Sequence, residues 1–146
     1  MTKYIFLLFV LIIIYPSCAV RNAPQSENVI HSNLKLWTSH KIDHYQVTQQ
    51  MRCFCNPTMI VPRLIEVNDG YIVSIDGTEQ GGMNKMYKSI PDFFNWIESQ
   101  MARNPAIATY SFDKDYGFPN EIFFDMDSSM FDEEIRYTLT DFKILN

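Results

Sequence analysis

Two cysteines separated by one residue, Cys53-Phe54-Cys55, form the most chemically suggestive element of the chain. Side chains two residues apart on a β-strand project from the same face, so the two sulfurs are placed to meet. In an oxidising compartment this spacing predicts a disulfide that pins the end of a strand. Three alternatives stay open: unpaired buried thiols, thiol–disulfide exchange with a partner, and metal ligation, in which two thiolates supply half of a tetrahedral zinc site. The further ligands would be the upstream histidines, His31, His40 and His44.

The acidic stretch Asp125-x-Asp127-x-Ser129 is typical of the opening of a calcium loop, in which alternating oxygens wrap a hard cation. Met130 stands where that loop needs a glycine, and Arg136 stands where it needs a bidentate glutamate, so the stretch is no EF-hand. Solvated turns, in which Asp and Ser bond to the local backbone, are the favoured interpretation. The weaker alternative is an irregular calcium site with four carboxylate ligands: Asp125, Asp127, Asp132 and Glu133.

Catalytic motifs are absent from the sequence. It holds no Gly-x-Ser-x-Gly elbow, no phosphate-binding glycine loop and no His-Glu-x-x-His helix, and Cys53 lacks a local signature of a cysteine nucleophile. The adjacent carboxylates Glu133 and Glu134 would point to opposite faces of a strand, which argues against an acid–base pair. The sequence therefore predicts a protein that is not an enzyme, with no catalytic residues, no bound metal and no cofactor.

The N-terminus has the pattern of an export signal. Lys3 leads an unbroken apolar run, residues 4–15, which ends in the sequence Pro-Ser-Cys-Ala. The run is shorter than the about 20 apolar residues of a membrane-spanning helix, and its small-residue end is typical of a secretory signal peptide, here residues 1–19. Cleavage after Ala19 predicts a soluble periplasmic or secreted protein, whereas cleavage before Cys18 predicts a lipid anchor on that cysteine.

The rest of the chain has the size of one ordinary domain. Residues 20–26 are predicted to form a polar tether, and residues 27–146 a single α+β domain. The chain carries 12 Lys and Arg against 17 Asp and Glu, and its formal net charge is −5. An acidic balance without a basic cluster excludes a nucleic-acid-binding protein. We expect a monomer whose partner is an unknown envelope or extracellular protein, with membrane contact only through the lipid anchor.

Two helices are predicted from hydrophobic periodicity. Apolar residues at helical spacing predict the first helix over residues 27–41. The second begins after the capping residue Ser89, has Pro91 in its first turn, and carries an apolar stripe until the chain reaches Asn104. Each helix therefore has one face to bury against another layer.

Six strands are predicted around these helices. Period-two alternation predicts the first strand from Tyr45 to Arg52. One side of this strand is formed by Tyr45, Val47, Gln49 and Met51. The turn Asn68-Asp69-Gly70 joins strands over residues 59–67 and 71–75 into a hairpin. The last three strands span 107–112, 121–126 and 135–144. The order α-βββ-α-βββ predicts an α+β fold, with two helices packed on one face of an antiparallel sheet.

Several short motifs follow one another along most of the chain. They are Trp37, Tyr45-x-Val47, Cys53-Phe54-Cys55, Asp69-Gly70, the helix over 90–97, Tyr110, Gly117-Phe118-Pro119 with Ile122 and Asp125, and Asp132-Glu133-Glu134 before Tyr137. With these motifs in this order, the chain resembles an uncharacterised family of exported bacterial proteins, known only as a domain of unknown function. The resemblance spans residues 34–142. It implies a single exported domain and no particular reaction.

The functional expectation follows from the export pattern and from the missing catalytic motifs. We expect a non-catalytic binding or structural module of the bacterial cell envelope. One alternative is a thiol-active or metal-binding protein that works through Cys53 and Cys55. Another is a secreted inhibitor or effector that binds a foreign protein. Tyr and Trp are favoured at interfaces, although most aromatic residues of such a chain fill the core.

Overall fold

The computed structural model of the protein describes residues 23–79 and 86–146, with side chains from residue 28 onward. The predicted signal peptide, residues 1–19, and the candidate lipidation site Cys18 lie outside the described residues. Among the described residues, no helix is both long and apolar enough to cross a membrane.

Two helices pack against the sheet. Helix α1 spans Ala23–Ser39 and α2 spans Ile90–Met101. The Ser89 hydroxyl accepts a hydrogen bond from the Asp92 N–H over 3.3 Å, which satisfies one of the free N–H groups at the start of α2. The predicted cap of α2 is thereby confirmed.

Seven antiparallel strands form one sheet. They are β1 His44–Arg52, β2 Arg63–Asn68, β3 Tyr71–Ile75, β4 Thr78–Glu79, β5 Ile107–Phe112, β6 Pro119–Asp125 and β7 Ile135–Ile144. Their spatial order is β4-β3-β2-β1-β7-β6-β5. Two meanders, β1 to β4 and β5 to β7, therefore meet where β1 pairs with β7.

The element order is α-β-β-β-β-α-β-β-β, which confirms the predicted α+β fold class. Three details differ from the prediction. Helix α1 begins at Ala23, inside residues 20–26, which were predicted to form a tether. The two-residue strand β4 was not expected, because so short a strand has no periodic pattern. The strand predicted over 59–67 begins only at Arg63, because the preceding residues form a 3-10 helix, Pro57–Met59, and because Pro62 cannot donate a ladder hydrogen bond.

Both helices cover the same face of the sheet, and the core lies between this face and the helices. In β1 the side chains alternate between buried and half-buried, as the period-two pattern predicts. Trp37 from α1 packs edge-on against Tyr45 from β1, with ring centroids 5.4 Å apart. Phe93 and Trp96 from α2 each lie 5.1 Å from the Tyr137 ring on β7. The other face of the sheet carries mostly polar side chains and faces solvent.

A close approach fixes α1 beside the β5–β6 turn. Gly117 in that turn has φ +78°, a backbone conformation that favours glycine. A Cβ at this position would lie 2.7 Å from the Asn33 carbonyl oxygen of α1. The helix can therefore pack against the turn only because the side chain is missing.

Candidate functional site

The Cys53-Phe54-Cys55 element forms a tight turn at the end of β1. The two sulfurs lie at disulfide-bonding distance, and their Cα atoms are 5.3 Å apart. The Cys55 N–H also donates to the Cys53 carbonyl over 2.9 Å. The predicted meeting of the sulfurs is thus confirmed. Both cysteines are half-buried, whereas Phe54 between them is 77% exposed, so the turn holds an aromatic ring out into solvent.

An open pocket of about 350 Å³ lies beside this turn. Strand register brings its walls together, because Arg52 on β1 is the partner of Arg136 on β7, which is in turn the partner of Phe123 on β6. The loop that leads into β7 closes one side. The lining residues are Arg52, Cys53, Phe54, Phe123, Asp132, Glu134 and Arg136.

The two arginines of the pocket have different surroundings. The Arg136 guanidinium forms an ion pair with Glu121, and its central carbon lies 4.8 Å from the centroid of the Phe123 ring. Arg52 forms no ion pair with any carboxylate in the described part of the chain. Strand pairing places Arg52 directly opposite Arg136, and like charges in that position destabilise a sheet. Glu121 pairs with Arg136, whereas Arg52 has no ion-pair partner among the described residues.

Two carboxylates, Asp132 and Glu134, form the acidic side of the pocket. Neither of them forms an ion pair within residues 28–79 and 86–146. Asp132 has φ 79°, a left-handed conformation that few non-glycine residues adopt. Immediately before it, Phe131 is 88% exposed. We call the pocket, together with the exposed rings of Phe54 and Phe131, the cysteine end of the sheet.

The carboxylates considered as calcium ligands lie in and around the β6–β7 loop. Asp127 accepts hydrogen bonds from the Ser129 hydroxyl at 2.6 Å and N–H at 3.0 Å, and these bonds lower the pKa of its carboxyl. Glu133 accepts from the Asp127 N–H. Asp125 is buried, with an Oδ1 atom that has no partner among the described residues. No three His, Cys, Asp or Glu side chains there are grouped to hold a metal ion, and the calcium site with Asp132 stays a prediction.

The three histidines lie apart from the cysteine pair. His44 stands at the opposite end of β1, where its Nε2 donates to the Glu66 carboxylate over 2.9 Å. His40 follows α1, and its Nε2 lies 2.9 Å from the Asp115 carbonyl oxygen. His31 is exposed on α1. The structure therefore does not bring the proposed histidine ligands to the cysteines.

Glu66 is the centre of a polar cluster on the open face of the sheet. Besides His44, its carboxylate accepts hydrogen bonds from Gln46 at 3.1 Å and Ser74 at 3.5 Å. The bond from His44, followed by the bond from Gln46, lowers the pKa of the Glu66 carboxyl. The cluster links strands β1, β2 and β3 and lies far from the cysteine end.

Three buried polar side chains, Tyr45, Gln49 and Tyr137, hold the backbone that leads into α2. The Tyr45 hydroxyl accepts from the Ile90 N–H at 2.8 Å. Gln49 donates to the Lys88 carbonyl at 2.6 Å and accepts from the Lys88 N–H at 3.2 Å. The Tyr137 hydroxyl donates to the Met86 carbonyl at 3.0 Å. We call these three side chains the polar clamp. Alternate residues of 86–90 are thus tied to β1 and β7.

Lys88 extends from the clamped segment into a cluster of aromatic rings. Its Nζ lies 4.9, 5.2 and 5.8 Å from the ring centroids of Tyr137, Trp96 and Phe93 and donates to the Tyr137 hydroxyl at 3.2 Å. Burial lowers the pKa of the Lys88 ammonium, and burial raises the pKa of Tyr137 to about 12. Cation–π attraction offsets part of the cost of removing the ammonium from water.

The clamp and the pocket were both missed by sequence reasoning. For the clamp a signal existed, because Gln49 falls on the buried side of β1 between Val47 and Met51. A polar side chain in an apolar column must find buried partners. For the pocket no local signal existed, because it depends on the register between β1 and β7.

Residues 29–144 match the sequence model of a family of unknown function, DUF6174. The chain belongs to this family. The expected membership in a domain family of unknown function is confirmed. No curated protein and no solved structure matches the chain. The family match includes the whole cysteine end and the whole polar clamp, since it runs from α1 to the last residue of β7.

Proposed function

We propose that the protein is a non-catalytic, exported binding module that recognises another envelope or extracellular protein through the cysteine end of its sheet. The carrying observation is the exposure of two phenylalanines, of which Phe54 lines the pocket and Phe131 immediately precedes the lining residue Asp132. Phe54 is 77% exposed and Phe131 is 88% exposed, although full burial of such a side chain is worth about 1.5–3 kcal/mol. Exposed aromatic rings next to a pocket are typical anchors of protein interfaces.

The short disulfide turn supports this proposal. A segment whose backbone is already fixed loses little backbone freedom on binding, so more of the contact energy is available for affinity. Phe54 sits between two linked cysteines, and its turn is fixed further by a backbone hydrogen bond. The backbone that carries the exposed ring is therefore ordered before binding.

Export is the second part of the proposal and rests on the sequence of residues 1–19. A soluble form would begin after Ala19, and an anchored form would carry lipid on Cys18. In both forms we infer a monomer that uses the cysteine end to reach its partner. The intact mass of the mature protein from its native host distinguishes the two forms.

The experiment compares two equally exposed aromatic residues. The full chain is expressed in its host with Phe54→Ala or with the control Tyr71→Ala, and partners are captured from envelope and culture medium. Tyr71 is 76% exposed and lies in the β2–β3 hairpin, at the end of β1 opposite Arg52. A partner retained by wild type and by the control, but reduced at least about tenfold by Phe54→Ala, supports the proposal. Equal capture by both variants contradicts it.

A thiol-active protein is the alternative that a specific observation favours, because Cys53 lines the pocket itself. In that case a partner dithiol would reduce the Cys53–Cys55 bond and would itself be oxidised to a disulfide. A double variant, Cys53→Ser with Cys55→Ser, distinguishes the two functions. If this variant folds and still captures the partner, the bond is structural. If it folds but loses both partner capture and thiol–disulfide exchange with the partner dithiol, the thiol chemistry is the function.

A secreted inhibitor or effector would use the same surface on a foreign target. The capture experiment separates it from an envelope module by the source of the bound protein. A partner found only in the culture medium or on another cell supports the inhibitor, and a partner from the host envelope supports the module.

A further inference from the structure

The pocket at the cysteine end is lined by charges of both signs that form no ion pair with one another. Arg52, Asp132 and Glu134 all belong to its lining. No Arg52 nitrogen lies within 4.0 Å of a carboxylate oxygen of the described residues. The space between these groups is therefore open to another molecule with matching charges.

Arg52 is the cation of the pocket that forms no ion pair with the described residues. It faces Arg136 across the β1–β7 ladder, and only Arg136 has a carboxylate of its own, from Glu121. Rules of sheet stability that are broken locally without compensation are expected at functional sites. A carboxylate from outside the molecule would remove the repulsion between the two arginines.

Two aromatic rings line the same pocket. The Phe123 ring centroid lies 4.8 Å from the central carbon of the Arg136 guanidinium, and the Phe54 side chain is 77% exposed. An apolar side chain that enters here would bury these aromatic surfaces together with its own. The pocket therefore combines one cationic, one apolar and one anionic position.

From this arrangement we propose that the pocket binds an extended segment of the partner protein that carries an acidic, an apolar and a basic side chain. The acidic group pairs with Arg52, the apolar side chain packs on Phe123 and Phe54, and the basic group faces the acidic side. Charge complementarity of this kind selects one partner over others more than it raises affinity. The inference rests on the proposed function and names the chemistry of the partner.

The test is a selection from a phage-displayed library of random peptides on the purified full chain. Wild type is expected to enrich peptides that combine an apolar, an acidic and a basic residue. On Arg52→Glu the acidic position should change to a basic one, and on Glu134→Lys the basic position should change to an acidic one. Arg103→Glu, a charge reversal at an exposed site after α2, should leave the selected pattern unchanged.

Affinities of the selected peptides give the quantitative measurement. A wild-type peptide should bind Arg52→Glu about tenfold more weakly, and its affinity for wild type should fall as salt is raised. Peptides that need Phe54 but show no charge pattern would overturn this inference and leave the proposed function standing. If wild type enriches nothing beyond Phe54→Ala, both are refuted.

Discussion

Replacing Gln49 by leucine should destabilise the protein much more than the same change at the neighbouring Gln50. Gln49 is fully buried and bonds to both the N–H and the carbonyl of Lys88. Gln50 is half-buried on the open face and makes one hydrogen bond of 3.1 Å to the Ile60 carbonyl. The two residues are identical in type, adjacent in sequence and in the same strand, so each is a control for the other.

The expected magnitude follows from the groups that each change leaves unpaired. A buried backbone group without a partner costs about 1–3 kcal/mol, and Gln49→Leu leaves two such groups on Lys88. Because Lys88 is half-buried and the leucine gains some apolar contact, we expect a net loss of about 2–4 kcal/mol. At Gln50 water can replace the lost bond, and the loss should stay below about 1 kcal/mol. Because the total free energy of unfolding of a domain is about 5–15 kcal/mol, a difference of this size is readily measured.

Urea denaturation followed by tryptophan fluorescence measures both free energies of unfolding. Hydrogen exchange of the Lys88 amide supplies a local measurement, because Gln49→Leu should speed this exchange and Gln50→Leu should not. The reasoning is refuted if the two variants lose equal stability, or if the Lys88 amide stays protected in Gln49→Leu.

Three further predictions concern separate parts of the molecule. Gly117→Ala should lower the free energy of unfolding in urea denaturation more than Gly70→Ala. The two glycines have φ angles of +78° and +80°, so alanine is strained by about 1–2 kcal/mol at both, but only the Cβ at Gly117 would collide with α1. Equal losses would exclude this steric role of Gly117. Because the folded protein lowers the pKa of Glu66, ionised Glu66 stabilises the fold at pH values above its ordinary pKa of 4.5. The free energy of unfolding should therefore fall as the pH drops through the folded pKa. Glu66→Gln should flatten this part of the plot of unfolding free energy against pH. Cys53→Ser with Cys55→Ser should lower the free energy of unfolding in urea denaturation by less than the about 3 kcal/mol expected for a 15-residue loop, and it should weaken partner capture without abolishing it.

Local patterns predicted those parts of the fold that local physics determines. The alternation in β1 comes from neighbouring residues that point to opposite faces, and the cap at Ser89 comes from a single hydroxyl beside a helix start. The strand β4, Thr78–Glu79, could not be predicted because two residues are too few to show a period-two pattern. The apolar residues before Arg63 favour a strand, but Pro62 and the 3-10 helix Pro57–Met59 delay the start of β2 to Arg63.

The candidate site was predictable only where its residues are neighbours in sequence. Cys53 and Cys55 meet because they are two residues apart, and that much was predicted. Arg52 and Arg136 become neighbours only through the register of β1 with β7, which no short window of sequence contains. Lys88 likewise enters its aromatic cluster through contacts with a distant strand. Such pairings are decided by the packing of the whole sheet.

The pairing of β1 with β7 also constrains how the chain folds. β7 is the last of the seven strands to be synthesised, yet it lies inside the sheet, next to the central strand β1. Until β7 is available, β1 has no neighbour on that side, and the two meanders cannot join. Pairings between residues far apart in sequence form slowly, because a large loop must close first. Such a chain completes its core only after its final strand is free to pair.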